Sequence, residues 1–261
     1  MKQPLIVSYG GGVNSTALLL GMLERAARPD AILFADTGGE KPETYEYVVR
    51  FGAVLLARGF PCIQVVQNDG MHGTLEQECL TNHTLPSLAF GHRKCSEKYK
   101  HRPQHKWAKQ WQPAVDCWND GGLVVKALGI GAHENRRASI VADRYYGYIY
   151  PLITWNWRQE ECLAAIKRHN LPVPVKSACF FCPASKKSEV VDLRLKHPDL
   201  FHRAVAMEHN AAENCRDVKG LGRHWSFEEV GGRHLRSLPL FEHAGLDCMC
   251  VGEANYEEEV P

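Results

Sequence analysis

The apolar positions of the chain fall into short runs separated by helical patterns. Leu5, Ile6 and Val7 form the first run, which ends at Ser8-Tyr9 and three successive glycines; Ala17, Leu18, Leu19 and Leu20 then mark an amphipathic helix that starts at once. A second run lies within Asp30–Phe34. The helix after it has Pro42 at its start and Glu43 in its first turn, which suits the fixed φ of proline and the helix dipole, and it extends to about Arg58. Pro61–Val66 reads as a third strand. Three strands joined by two helices predict a parallel, right-handed βαβαβ unit. Residues 68–92 show no clear period and read as an insertion or lid. Gly91–Lys109 is a basic helical stretch, Leu123–Ile130 a fourth strand, Tyr145–Ile149 a fifth, and Trp157 to His169 a further helix. The expected fold is α/β: a Rossmann-like, doubly wound parallel sheet over residues 1–174. A small helical, cysteine-bearing subdomain follows over residues 175–261, helical to about Ala212. Within it, Gly220–Pro239 mixes glycines, arginines and aromatics; Trp225 and Phe227 fit a base-stacking surface and a small packed turn equally well.

Composition narrows the classes. With 261 residues and 44% hydrophobic content the chain can build a sizeable core. A net charge of +1 argues against a globally basic nucleic-acid binder and leaves room for a local patch. No apolar run approaches the ~18 residues of a membrane helix, and no secretory leader pattern opens the chain, so a cytoplasmic protein without a membrane partner is expected. In a reducing compartment the ten cysteines read as buried small residues, metal ligands or reactive thiols before disulfides.

The glycine loop carries the first chemistry. A glycine-dense strand-to-helix turn lets backbone N–H groups approach a ligand, and the helix dipole adds positive potential, which together favour phosphate. Ser8, Gly10, Gly11, Gly12, Asn14, Ser15 and Thr16 are the candidate phosphate contacts. No lysine follows the glycines as in a Walker loop, and no G-x-G-x-x-G is present. Asp36 and Thr37 stand at the carboxyl end of the second strand, where open α/β sheets bind ligands. Gly131, Glu134 and Arg137 follow the fourth strand and bring charge to the same edge. In the basic stretch, Lys94, Lys98 and Arg102 are candidate substrate contacts, for a nucleotide or a nucleic-acid backbone. Cys179 and Cys182 form a C-x-x-C, a geometry shared by zinc, iron–sulfur and redox sites; Cys95, Cys248 and Cys250 are the further candidate ligands. Cys62, Cys79, Cys117, Cys162 and Cys215 read as buried positions.

These motifs, in order, resemble one family. SYGGGVNST is similar to the loop of PP-loop ATP pyrophosphatases, matching at Ser8, Gly11, Gly12 and Ser15, with Asn14 where that pattern has aspartate. FADTGGEKPETYEYV resembles the second motif of the phosphoadenylyl-sulfate reductase-like branch. C-S-x-K at Cys95, G-x-x-x-E-x-x-R from Gly131 to Arg137, P-L-x-x-W at Pro151 and C-x-x-C-P at Cys179 follow. The resemblance implies cleavage of ATP between the α and β phosphates with Mg²⁺, adenylylation of an acceptor, and sulfur transfer to it. Ser15, Asp36 and Arg137 are the implied catalytic residues, Arg137 offsetting charge that develops on the phosphates. Cys95, Cys179, Cys182, Cys248 and Cys250 are the implied ligands of a [4Fe–4S] cluster, zinc being the alternative. Relatives include the ATP-pyrophosphatase components of DNA phosphorothioation systems, so a nucleic-acid acceptor and a cysteine desulfurase or other sulfur donor are the implied partners. Two other functions stay open. A sulfonucleotide (adenylyl- or phosphoadenylyl-sulfate) reductase would need the Cys-Cys pair that Lys94-Cys95 lacks. A zinc-stapled nucleic-acid-binding module without catalysis draws its support from Asn14.

Overall fold

The protein is described by a computed structural model over residues 3–236. Strands β1 (Leu5–Tyr9), β2 (Ala31–Asp36), β3 (Ile63–Gln67), β4 (Val124–Leu128) and β5 (Tyr146–Ile149) form one sheet in the order β3-β2-β1-β4-β5. All four pairings are parallel, with Tyr9 beside Phe34 and Ser8 beside Leu128. Helices α1 (Val13–Glu24) and α2 (Pro42–Ala57) follow β1 and β2. Between β3 and β4 lie α3 (Leu75–Thr81), α4 (Lys94–Ser96), α5 (Arg102–Ala108) and α6 (Gln112–Asn119). Helices α7 (Pro151–Thr154) and α8 (Gln159–Arg168) follow β5, and α9 (Lys187–Lys196), α10 (Pro198–Ala211) and α11 (Phe227–Arg236) complete the described chain. The fold is the expected doubly wound α/β sheet with a helical, cysteine-containing unit after it.

Alternation along the strands explains the two covered faces. Val7, Tyr9, Ile32, Phe34 and Ala127 point to one side and pack with α1, α2 and α8. Ile6, Leu33, Ala35, Val66 and Val124 point to the other, where Ala108 of α5 and Ala114 of α6 meet them. A second core joins α3 and Tyr99 to the C-terminal helices through Phe180, Phe181, Phe201, Met207 and Phe227.

Several elements differ from the sequence reading. The first helix is not amphipathic: Ser15 through Met22 are all buried, because the sheet covers one side and α7 and α8 the other. Residues 68–92 contain α3, seven residues capped by the Thr74 hydroxyl, which accepts the Gln77 N–H at 3.1 Å; about two turns, at 3.6 residues each, are too short to show a period. The basic stretch is helical, but Glu97–His101 forms a π-helical turn between α4 and α5. Helix α6 lay outside the expectation. The helical stretch expected to end near Ala212 consists of two helices, divided at His197-Pro198 because proline starts a helix more easily than it continues one. Trp225 and Phe227 form a packed unit, their rings stacked at 5.7 Å with Phe227 fully buried. Among the described residues, no helix is long and apolar enough to cross a membrane.

The second core hangs on one carboxylate. Glu208, 7% exposed, accepts the backbone N–H of Leu221 at 2.8 Å and of Phe227 at 2.8 and 3.0 Å. Burial raises its pKa against the pull of these donors. Replacing it with alanine strands two buried amides at about 1–3 kcal/mol each. Glu208→Ala is therefore expected to lower stability by about 3 kcal/mol, measured as a drop in the urea midpoint at unchanged slope.

Candidate functional site

The strand order reverses between β1 and β4, and the crevice outside the carboxyl ends of such strands is where open α/β sheets bind ligands. A cleft of about 1230 Å³ occupies that place. Ser8, Gly10, Gly12, Asn14 and Ser15 line it from β1 and α1, and Leu128–Ile130, His133, Glu134, Arg136 and Arg137 from β4 and the turn after it, while Gly131 does not.

The loop is folded by its own backbone and by two close approaches. Gly11 has φ +77°, a conformation that favours glycine, and a Cβ there would meet Thr44 at 3.0 Å. Gly12 is extended and leads directly into α1, whose first turn carries no acidic residue. The Ser15 hydroxyl donates to Gly12 O at 3.1 Å and accepts the Gly10 N–H at 3.2 Å, holding the loop curled over the helix end. From the other side, β4 ends in Gly129, where a Cβ would lie 2.8 Å from both Ser15 N and Cα. Backbone against backbone leaves nothing to give, so only glycine fits.

Asn14 is one end of a polar chain. Its amide donates to Glu134 Oε2 at 3.0 Å, and Arg137 Nη1 donates to Glu134 Oε1 at 2.6 Å. An aspartate at this position would face Glu134 as a like charge. Asparagine instead completes an Asn–Glu–Arg arrangement in which the guanidinium stays at the cleft wall.

Cations converge on the space in front of the loop. Arg93, Lys100, Lys126, Arg136, Arg137 and Lys176 line it. Lys126 is unusual among them, 4% exposed in the middle of β4 with its ammonium 4.0 Å over the Tyr146 ring. Burial lowers its pKa to about 8, partly offset by Asp143. Against these stands Glu40, 4% exposed, with its carboxyl pKa raised by burial; Ser177 Oγ donates to it at 3.1 Å and Lys100 Nζ lies at 3.8 Å.

The remaining expected residues are placed as follows. Asp36 does not line the cleft: Gly38 N–H and Tyr45 O–H donate to it at 2.8 Å each and Gln67 Nε2 at 2.7 Å. Thr16 is fully buried, 3.4 Å from the Tyr9 hydroxyl. Thr37 Oγ1 meets Cys179 Sγ at 3.0 Å, and the Phe180 N–H donates to Gly39 O at 2.7 Å. Those two contacts lock the D-T-G-G turn to the C-x-x-C turn, and a Cβ on Gly39 would strike Phe181 at 2.6 Å. Lys94, Lys98 and Arg102 do not line this cleft; Lys98 pairs with Glu78 and Arg102 with Glu97. Gly131 and Glu134 lie where expected, on the turn after β4.

Cys95, Cys179 and Cys182 share the second core with Cys79 and Cys215. Burial pushes the Cys79 and Cys179 thiols up to about 12 and raises Cys182 as well. Among the described residues, no three histidine, cysteine or carboxylate side chains are grouped to hold a metal ion. Cys248 and Cys250 lie outside the described residues. The described donors do not by themselves fit a [4Fe–4S] cluster or zinc.

Sequence reasoning missed Glu40, Lys126, Gly129 and Ser177. One signal was present. A lysine inside LVVKALGI is a charge in a strand buried on both faces, which needs a reason.

No protein-family model matches the chain. No curated protein matches it. Among solved structures, the U34-tRNA thiolase NcsA from Methanococcus maripaludis with its [4Fe-4S] cluster is similar at 16% identity and a TM-score of 0.44, over 99% of this chain and 80% of that one.

The asparagine can be tested directly. Asn14→Asp should cost about 1 kcal/mol or more of stability through repulsion from Glu134. Adding Glu134→Gln should restore most of it, giving a non-additive double-mutant cycle in chemical denaturation.

Proposed function

We propose that the protein is a PP-loop-type ATP pyrophosphatase that adenylylates a nucleic-acid acceptor for sulfur transfer, as in thiolation or phosphorothioation. The observation that carries this reading is the cleft at the strand-order reversal, where a curled glycine loop at a helix N-terminus faces a wall of cations. The order of the sequence motifs supports the α–β bond as the one cleaved.

In this reading Gly10, Gly12, Asn14 and Ser15 hold the triphosphate, and Lys126, Arg136 and Arg137 face its charge. Mg²⁺ would be carried chiefly by phosphate oxygens, as that ion prefers. An acceptor oxygen attacks the α phosphorus, the α–β P–O bond breaks, and pyrophosphate leaves with the electron pair. Arg137, held by Glu134 and Asn14, offsets charge as it grows. Hydrosulfide, released from a donor persulfide such as that of a cysteine desulfurase by a thiol reductant that ends as a disulfide, then attacks the atom bearing the adenylylated oxygen; the bond to that oxygen breaks and AMP leaves carrying it. Asp36 acts at one remove, fixing the D-T-G turn beside the loop. A [4Fe–4S] cluster on this chain requires ligands from beyond residue 236, and no step here passes through one.

Product analysis with α- and γ-labelled ATP should give AMP and pyrophosphate in the presence of acceptor. ADP with inorganic phosphate would overturn the reading. The buried lysine gives a second test. Lys126 is charged below about pH 8 in the free protein and neutral above it. A bound polyphosphate favours the charged form, so binding takes up a proton near that pH. Nucleotide affinity should therefore fall as pH rises through about 8, and Lys126→Met should be weaker throughout and lose that step in calorimetric titrations.

A further inference from the structure

A second cleft, of about 340 Å³, adjoins the first and shares Glu97, His101, Lys126 and Tyr148 with its wall. Its base is an aromatic cluster. The His105 ring lies 4.9 Å from that of Tyr145 and 5.6 Å from that of Tyr146, and Trp118 packs against the same tyrosines at 5.2 and 5.8 Å. The cluster is fixed from behind: His105 Nδ1 meets the Tyr146 hydroxyl at 2.9 Å, and the Trp118 indole donates to Tyr145 O at 2.8 Å. Tyr146 is buried, whereas Tyr148 on the edge strand β5 and Tyr145 just before it are half-buried and line the cleft, with the Arg144 guanidinium 4.5 Å over the Tyr145 ring.

The rim is basic. Arg102, Lys106 and Lys109 from α5 and its end line it with the tyrosines, together with the acidic Glu97 and Asp143. Arg102 is paired with Glu97 and Lys106 with Asp69, while Lys109 makes no ion pair among the described residues. Such a concentration is local, because the whole chain carries only +1. Aromatic faces beside cations are how proteins hold single strands, bases stacking on the rings and phosphates meeting the charges. The volume lies at the small end of single-ligand pockets, about 300–1000 Å³. It admits one nucleotide and excludes a duplex, whose bases face each other.

We propose that this cleft seats one nucleotide of a single-stranded or locally unpaired nucleic-acid acceptor, its base against Tyr145 and Tyr148 and its phosphates toward Lys106 and Lys109. Lys126 stands between this nucleotide and the ATP cleft, so the acceptor enters the reaction from the β5 edge. Enzymes that modify a nucleotide inside a duplex first take it out of the stack, and a tyrosine-lined recess is what receives it. The proposal deepens the adenylyl-transfer reading and rests on it for the purpose of the site.

Fluorescence anisotropy of the full chain with labelled deoxythymidine and uridine dodecamers, and with a duplex dodecamer, tests it. Single strands should bind, and the duplex should bind at least about tenfold more weakly. Tyr145→Phe should match the native chain, while Tyr145→Leu should weaken single-strand binding about fivefold or more, the effect expected of one lost stacking contact. Lys109→Ala, on an exposed position, should reduce the salt slope by about one without affecting folding. Equal affinity across the Tyr145 variants and Lys109→Ala, or equal affinity for duplex and single strand, would overturn the proposal. Pyrophosphate release without binding of any strand would overturn it too, yet leave the ATP reading standing. Tyr145-dependent strand binding without pyrophosphate release would defeat that reading and keep the cleft as a single-strand site.

Discussion

The structure depends on one close approach, between the end of β4 and the first turn of α1. Gly129 admits the Ser15 backbone to within what would be 2.8 Å of a Cβ, and that contact fixes where the helix N-terminus points. Strands β1 and β4 are sheet neighbours, so each ladder carries its loop to the same place. The helix itself has no freedom to adjust, since Ser15 to Met22 are buried between the sheet and α8. A rigid helix end with unpaired N–H groups is a fixed partial positive charge. Everything polar around it is arranged with respect to that charge, including the Ser15 hydroxyl that curls the glycines over it.

Charge in this protein is a matter of placement. Acids and bases nearly cancel over the chain, yet cations gather at the carboxyl end of the sheet and on the helix that flanks it. Two groups within this field are buried, and they are of opposite sign. Lys126 is held in its strand against the full cost of desolvation, with the face of Tyr146 as its nearest partner. Glu40 is held beside Lys100 and Ser177, with burial working against its charged form. Buried ionisable groups of this kind are rarely kept for stability, which apolar residues of similar volume supply as well or better. Their presence on the walls of one cleft is a sign of ligand chemistry.

Much of this was legible in the sequence, for physical reasons that differ from element to element. The central strands, buried on both faces, read as continuous apolar runs, and the half-exposed edge strands β3 and β5 showed through their β-branched and aromatic residues, so all five were visible, as were α2 and α8. The amphipathic reading of α1 failed because local pattern does not show that a helix is covered on a second side. Helix α3 is too short for a period, and α6 lies in a stretch whose two tryptophans belong to a core that only the fold assembles. At the site, glycine density, Asn14, Glu134 and Arg137 were legible because each sits in a compact motif. Asp36 was legible as a residue and not as a role: its position at a strand end was correct, whereas its saturation by Gly38, Tyr45 and Gln67 depends on β3 and α2. Glu40 and Ser177 lie 137 positions apart, and no local signal joins them.

The link between Glu40 and Ser177 has a consequence for the cysteines. Ser177 stands against Gly12 at the glycine loop, and two residues on, Cys179 meets Thr37. The segment from Lys176 to Cys182 therefore spans from the cation wall of the larger cleft to the thiol side of the second core, pinned at Glu40, Thr37 and Gly39. A movement of the D-T-G-G turn must carry the C-x-x-C turn with it, because the Phe180 amide and the Phe181 ring leave no slack at Gly39. Asp36 restrains that turn from the sheet side through its bond to Gly38. The carboxylate at the end of β2 thus acts on the C-x-x-C turn at one remove, through the D-T-G-G turn that it holds.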